Sequence, residues 1–443
     1  MAFNPGSNGR TAAHKADMHA WLVEETRALL TRLDRIKPFA LLETMVPAAA
    51  PSPAALSAIE QFLVHGRRSL RRMARSYLKW LRSGQGQATP PAKAHRRFVF
   101  LKLQFNDVLS QFDIFADVMT QRSEHETGVW LSGLDVVAAD ALKVPGDYMD
   151  MVPVICHLDR GHGAAIRRAR TRLPGGGENP VAVVRVPRER MVGSGIASSL
   201  VHEVGHQGAA LLDLIKSLRG PLNRLSRQDS GQGPIWGLYG RWISEILADF
   251  WSVSRIGVGS TLGLMSVVSL PRAFIFRVSL DDPHPIPWLR VKLSCALGNA
   301  LYPDPQWERT AAIWEAYYPL TGLSLSKRRF FTTVEARIPD FVALLVNHRP
   351  PSLRGRSLGE VMTLPDRHPG KLRALHQSSR GQAARMRRLP PSLAFAVLGQ
   401  ARADGRIDPG FESRLLVDLL TYWALRSTLK KPVQLAAQVW QEL

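Results

Sequence analysis

Apolar residues in the first quarter of the chain recur at the three- and four-residue spacing of amphipathic helices. Leu22, Leu29 and Leu33 mark one such face. A proline- and alanine-rich stretch at 46–55 interrupts the pattern, because proline breaks a continuous helix. The spacing then resumes, and it predicts a helical N-terminal region over residues 1–125.

The middle third of the chain changes character and contains two short apolar runs, the second of them rich in β-branched residues. Val129–Leu134 and Val181–Val186 each predict a strand, and the second follows a loop of proline and glycine typical of a turn. Helical spacing returns after the second run and continues through 301–443. We therefore expect an α+β protein that is mostly helical, with a small sheet in a core at 126–300 and helical segments on both flanks.

The longest uncharged run near the middle, Ile256–Pro271, contains three glycines and ends in proline. A bilayer-spanning helix needs about 20 predominantly apolar residues, so this run predicts a buried core helix and no membrane span. The N-terminus lacks the apolar stretch of a secretory signal. The chain has 2 cysteines, too few for a disulfide framework, which favours a reducing compartment. The expected location is the cytoplasm.

Charge changes this picture, because the 443-residue chain carries a formal net charge of +21. Basic residues are concentrated between Glu60 and Asp107, where no acidic residue occurs. Arg67–Arg82 predicts a helix with one broad positive face, and Tyr77 and Trp80 within it could stack on bases. Such a face favours an acidic partner, either nucleic acid or acidic protein, with a solvated face as the plain alternative.

The sharpest motif is His202-Glu203-Val204-Gly205-His206. Histidines four residues apart lie one above the other on a helix, so both imidazoles can reach one metal ion. Glu203, beside the first histidine, can hold a water that the metal acidifies. The alternative is a core helix that happens to contain two histidines.

Two histidines need a third protein ligand to form a catalytic zinc site. Glu245 and Asp249 supply candidates, because they are also four residues apart on a predicted helix. The segment that they bound resembles the Glu-x-x-Ala-Asp helix of the gluzincin metallopeptidases. The resemblance implies Zn²⁺ as cofactor, Glu245 as its third ligand beside His202 and His206, and Asp249 as the hydrogen-bond partner of one of those histidines.

His284-Pro285 followed by Arg290 is similar to the His-Pro…Arg element of the prenyl-protein and heat-shock membrane protease family. The three elements occur in the same order, and the resemblance covers residues 180–295. This chain departs from that family in lacking its apolar membrane helices. The resemblance implies a zincin-like core and leaves the substrates open.

Peptide hydrolysis also requires a donor to the developing oxyanion and a strand that binds the substrate. Tyr239, His284 and Arg290 are candidate donors, and we favour His284 because its prolines can fix the loop. Val181–Val186 is similar in position to the edge strand that binds substrate in zincins.

The first hypothesis is a soluble zinc metallopeptidase that cleaves peptide or protein substrates, with Glu203 as general base and His284 as a further catalytic residue. The alternative is a basic protein that binds nucleic acid or an assembly partner, on a zincin fold whose metal site is structural or vestigial. Glu203 discriminates between them, because a structural site needs no base.

Overall fold

The computed structural model divides the chain into two compact units. The smaller unit comprises Met1–Met45, Ser52–Ser123 and Arg170–Val181, and the larger comprises Val46–Pro51, Glu124–Ala169 and Ala182–Leu443. The residues that the structure describes are 6–37, 39–41, 43–159, 164–173, 176–188, 194–228, 231, 233–279, 281–379 and 382–442.

The smaller unit is built from three 30-residue helices that pack on one another. Its core contains apolar side chains such as Leu29, Leu63 and Phe105. Ser52 begins the second long helix, because its hydroxyl accepts a hydrogen bond from the Ala55 amide. The helices are α1 (Gly6–Arg35), α2 (Pro53–Arg82), α3 (Gly84–Ala88) and α4 (Pro91–Thr120), followed by a 3₁₀ turn at Gln121–Ser123.

The larger unit contains a three-stranded sheet and most of the helices. Its elements in the first half are a 3₁₀ turn at Pro47–Ala49, α5 (His125–Leu142), β1 (Val154–Asp159), β2 (Ala165–Arg167), β3 (Ala182–Pro187), α6 (Ser194–Leu211), α7 (Leu214–Gln228), α8 (Gly233–Ile256), α9 (Val258–Val268) and α10 (Arg272–Ile275). The remaining helices are α11 (Pro287–Leu301), α12 (Gln306–Tyr317), α13 (Leu325–Glu335), α14 (Ile338–Asn347), α15 (Leu358–Met362), α16 (Pro369–Ser379), α17 (Ala383–Met386), α18 (Pro391–Ala403) and α19 (Pro409–Glu442), with 3₁₀ turns at Pro351–Leu353 and Pro365–Arg367.

The strand order is β1-β3-β2, so β3 lies in the centre of the sheet. It runs parallel to β1, with Val154 opposite Ala182, and antiparallel to β2, with Ile166 opposite Val184. The expectation of a mostly helical α+β protein with a small sheet is confirmed. The strand predicted at 181–186 is also confirmed, but its position differs from that of an edge strand.

The strand predicted at Val129–Leu134 is wrong, because these residues form part of α5. A short apolar run does not distinguish a strand from a buried helix. Here Leu131, Leu134 and Ala138 are buried at helical spacing, which decides for the helix.

The uncharged run at 256–271 contributes α9, and its side chains from Val258 to Thr261 are buried. The prediction of a core helix is thereby confirmed. None of the helices in the described part of the chain is both long and apolar enough to cross a membrane. The division into units also places 301–443 together with most of 126–300, where the sequence predicts separate regions.

Candidate metal centre

The two histidines of the sequence motif lie one turn apart on α6 and face the same way. The ring centroids of His202 and His206 are 4.9 Å apart, with the rings nearly perpendicular. The opposite face of the helix carries Ile196, Leu200 and Val204, which are buried in the core. Packing of the apolar face therefore fixes the direction in which the imidazoles point.

Helix α8 brings a carboxylate to both imidazoles. Glu245 Oε2 lies 3.3 Å from Nε2 of His202, and Glu245 Oε1 lies 3.4 Å from Nε2 of His206. Ligands bound to a tetrahedral zinc at about 2.0–2.1 Å are separated from one another by about 3.3 Å. The two distances to Glu245 match that separation, and the ligand atoms of the three residues all lie within 4.8 Å of one another, so the cluster could hold a metal.

A glycine in the motif allows this close approach of α6 and α8. A Cβ atom added at Gly205 would lie 2.8 Å from Cβ of Trp251 and 2.9 Å from Cα of Ala248. Both distances are too short for any side chain, so only glycine fits at this crossing. The helices therefore cross in close contact at Gly205, against the backbone of Ala248.

Asp249 lies next to the first histidine, on the side of the ring that faces away from Glu245. Its Oδ1 atom lies 2.8 Å from Nδ1 of His202, which leaves Nε2 of that ring directed toward Glu245. A histidine that binds a metal through one nitrogen usually donates a hydrogen bond through the other. Ser244 is placed similarly for the second histidine, with its hydroxyl oxygen 3.3 Å from Nδ1 of His206.

Arg290 anchors Asp249 in turn. Its guanidinium donates two hydrogen bonds to that carboxylate, from Nε to Oδ2 at 2.7 Å and from Nη2 to Oδ1 at 2.9 Å. The same Nη2 atom lies 3.3 Å from Oε2 of Glu245. The sequence suggested Arg290 as an oxyanion donor, but the geometry gives it this supporting position.

The charged groups in the cluster strongly shift the pKa values of one another. Burial acts to lower the pKa of His202, but the carboxylates of Asp249 and Glu245 outweigh it and raise that pKa to about 9. Burial would raise the pKa of Glu245, yet His202, His206 and Arg290 hold it far below its usual range. The carboxylate of Asp249, also buried, has its pKa lowered to about 2, chiefly by Arg290. Both carboxylates are therefore ionised and present negative charge to a bound cation.

Glu203 opens onto the same cleft without belonging to the donor set. The cleft has a volume of 530 Å³ and is lined by Glu203, the three donor residues and His284. Burial raises the pKa of the Glu203 carboxyl, against the opposing charges of His202 and His206. A carboxyl group with a raised pKa beside a water-accessible cleft is suited to exchanging protons near neutral pH.

His284 reaches the cleft from the loop before α11. Its Nε2 atom lies 3.5 Å from Oε2 of Glu245, and its Nδ1 atom lies 2.8 Å from Oδ1 of Asp282. Asp282 also accepts a hydrogen bond from the His284 amide, so one carboxylate holds both the backbone and the ring. About half of the side chain is exposed, which leaves Nε2 open to a ligand.

Tyr239 does not reach the cleft. Its hydroxyl donates to the carbonyl oxygen of Val334 at 2.9 Å, and its ring stacks on Phe341. Burial and the nearby carboxylates of Asp340 and Glu335 raise its pKa above the usual range. Tyr239 is a core residue.

The strand that borders the cleft is β2, not the predicted 181–186. Ala165 and Ile166 line the cleft, and β2 is an outer strand of the sheet, whereas β3 has neighbours on both sides. Sequence reasoning missed β2 because three residues carry too weak a pattern to predict a strand. Leu264 and Val267 of α9 add an apolar wall that the sequence did not indicate.

Compared with known proteins, the chain matches no protein-family model, no curated protein and no solved structure.

Proposed function

We propose that the protein is a zinc-dependent peptidase whose reaction takes place in the cleft between α6, α8 and β2. The observation that carries the proposal is the pair of short distances from the carboxylate of Glu245 to the imidazoles, 3.3 Å from Oε2 to Nε2 of His202 and 3.4 Å from Oε1 to Nε2 of His206, next to a buried glutamate. His202, His206 and Glu245 would hold the zinc. When bound there, zinc would lower the pKa of a water molecule and polarise the substrate carbonyl.

Glu203 is the general base and then the general acid of this proposal. Its carboxylate takes the proton of the attacking water, and the resulting carboxylic acid gives that proton to the leaving amine. Burial, which raises the pKa of Glu203, brings its protonation equilibrium closer to neutral pH and so favours both transfers.

His284 is the donor that we assign to the developing oxyanion. This role requires the imidazolium form of the ring, in which Nδ1–H donates to Asp282 and Nε2–H is the donor on the side of the cleft. A donor fixed before the reaction stabilises the transition state without reorganising during it.

Asp249 and Arg290 act as positioning residues. Their paired hydrogen bonds fix the carboxylate that in turn orients His202. The substrate is an extended peptide, which would pair with the outer edge of β2 through its backbone. The proposed location stays the cytoplasm, and it is supported by Cys156 and Cys295, neither of which forms a disulfide.

Zinc binding tests the proposed ligand set before any substrate is known. We expect the purified wild-type protein to bind one zinc ion, measured by elemental analysis and by competition with a chromophoric chelator. His206→Ala removes one ligand and should weaken binding by at least about 100-fold, in line with the effects of altering metal sites. His95→Ala, at an exposed histidine of α4, is the control and should bind as the wild type does. A wild-type protein that binds no zinc, or equal binding by His206→Ala, would contradict the ligand assignment.

A zinc-loaded protein that cleaves nothing would favour the alternative function, in which the metal is structural or vestigial.

A further inference from the structure

A row of basic side chains follows one exposed face of α2 in the smaller unit. His65, Arg68, Arg72, Arg75 and Lys79 are separated alternately by three and four residues, and all five are exposed. This spacing keeps the residues on a single stripe of a helix. At 1.5 Å per residue the stripe is about 21 Å long.

The stripe differs from the basic residues beside it, which already have partners. Arg71 forms an ion pair with Asp34, and Arg67 donates to the carbonyl oxygen of Leu33. Within the described residues, Arg68, Arg72 and Arg75 have no ion pair of their own. Like charges at this spacing repel one another in the folded protein, so the stripe does not serve the stability of α2.

The cationic groups also surround a recess. His65, Arg68, Arg71, Arg72 and Arg75 line a surface cavity of 370 Å³. The guanidinium group offers several N–H donors in a plane, and it can hold two oxygens of one phosphate at once. A cavity lined by four such groups is suited to phosphate oxygens.

The aromatic residues of this region are not available for stacking on bases. The guanidinium of Arg97 lies 4.2 Å from the centre of the Trp80 ring, and the ring of Tyr77 stacks on Trp80 with centroids 5.7 Å apart. Tyr77 is buried, and its hydroxyl donates to the carbonyl oxygen of Ala94. The expected base stacking by these residues is therefore replaced by packing within the unit.

A lipid surface fits the stripe poorly. Peripheral membrane helices bury large apolar side chains in the interface beside their basic residues. Among the described side chains of α2, no large apolar residue is prominently exposed. The stripe offers positive charge without an apolar surface. It therefore suits a linear partner that carries negative charges at regular intervals.

We propose that this stripe binds the sugar-phosphate backbone of nucleic acid, independently of base sequence. Duplex DNA presents one negative charge per about 1.7 Å of its axis, so phosphates recur along the length of the stripe. Arginine contacts to phosphate oxygens carry no information about the bases, so the affinity should not depend on sequence. This binding is separate from the proposed chemistry of the cleft.

The test uses the full chain and fluorescence anisotropy with two labelled 30-base-pair duplexes of unrelated sequence. The wild-type protein should bind both equally, with an affinity that falls as salt rises. The triple variant Arg68→Gln, Arg72→Gln, Arg75→Gln should bind at least tenfold more weakly in 0.1 M salt. The slope of log affinity against log salt should fall by about 2.7, because each lost phosphate contact contributes about 0.9.

The matched control removes the same charge from the larger unit. Arg219→Gln, Arg224→Gln, Arg227→Gln changes three exposed arginines of α7 and should leave the salt slope within about 0.5 of the wild-type value. Equal losses in both triple variants would overturn the proposal, because net charge alone would then explain the binding. Absence of binding by the wild type, or stripe-dependent binding to poly-glutamate or phosphatidylserine vesicles that exceeds binding to DNA, would also overturn it.

Discussion

Arginine occurs in two contrasting settings in the two units of this protein. In the cleft of the larger unit, Arg290 is largely buried and makes paired hydrogen bonds to Asp249. On α2 of the smaller unit, Arg68, Arg72 and Arg75 are exposed, and no carboxylate is found beside them among the described residues. A buried charge must be paired to be tolerated, whereas an exposed charge is stabilised by water.

The difference separates two uses of charge. The buried charges at Arg290, Asp249 and Glu245 fix the geometry of the histidines. Each of these charges is stabilised by an opposite charge beside it. The exposed row repels itself and contributes nothing to the fold, which leaves it available to a partner. The smaller unit has 20 lysines and arginines against 10 aspartates and glutamates, compared with 38 against 27 in the larger unit. The excess of base is thus proportionally greatest in the unit that lacks the cleft.

Removing the guanidinium of Arg290 gives the largest expected loss of stability. Arg290→Gln leaves the buried carboxylate of Asp249 without its strongest partner, which should cost about 3 kcal/mol of unfolding free energy. The measurement is urea unfolding followed by circular dichroism. Arg290→Lys is the matched variant, because it keeps the positive charge but cannot form the two paired hydrogen bonds. Its unfolding free energy should lie between that of the wild type and that of Arg290→Gln. A loss below about 1 kcal/mol for Arg290→Gln would show that the buried pair does not support the site.

Crowding the crossing of α6 and α8 should have the next largest effect. Gly205→Ala places a methyl group 2.8 Å from Cβ of Trp251 and should destabilise the protein by about 1–3 kcal/mol. Zinc affinity should fall as well, because Glu245 moves away from the histidines. The control is Gly195→Ala on the same helix, where an added Cβ meets nothing within 4 Å. Equal unfolding free energies for Gly205→Ala and Gly195→Ala would contradict the close approach of α6 and α8 at Gly205.

The smallest effect is expected on α2. Arg72→Gln should change the unfolding free energy by no more than about 0.5 kcal/mol, because the side chain is exposed. The sign should be stabilising, since one repulsive neighbour is removed. Measured under the same urea conditions as Arg290→Gln, this variant sharpens the contrast between the two settings. If Arg72→Gln lost as much unfolding free energy as Arg290→Gln, the exposed and the buried arginines would not differ in their contribution to stability.

Local spacing allowed the central parts of the site to be predicted from the sequence. His202 and His206 share a helix face because they are four residues apart, and the same holds for Glu245 and Asp249. The apolar residues of each helix must be buried in the core. The two histidines and the two carboxylates, which lie on another face of their helices, are therefore directed away from the core.

Parts that depend on distant contacts could not be predicted. The pairing of Arg290 with Asp249 joins residues 41 positions apart, and no local pattern specifies it. The parallel pairing of β1 with β3 and the outer position of β2 likewise arise from tertiary contacts. Tyr239 lies near Glu245 in sequence but on the other side of α8, where its hydroxyl meets Val334.

The most direct test of the central claim compares peptide cleavage by wild-type and Glu203→Gln proteins, each loaded with zinc. Both are incubated with a proteome-derived peptide library, and new termini are identified by mass spectrometry. Glutamine keeps the size of the side chain but cannot accept the proton, so zinc content should be unchanged while the cleavage rate falls by about 10²–10⁴-fold. Cleavage by Glu203→Gln at the wild-type rate, or no cleavage by the zinc-loaded wild type, would contradict the account.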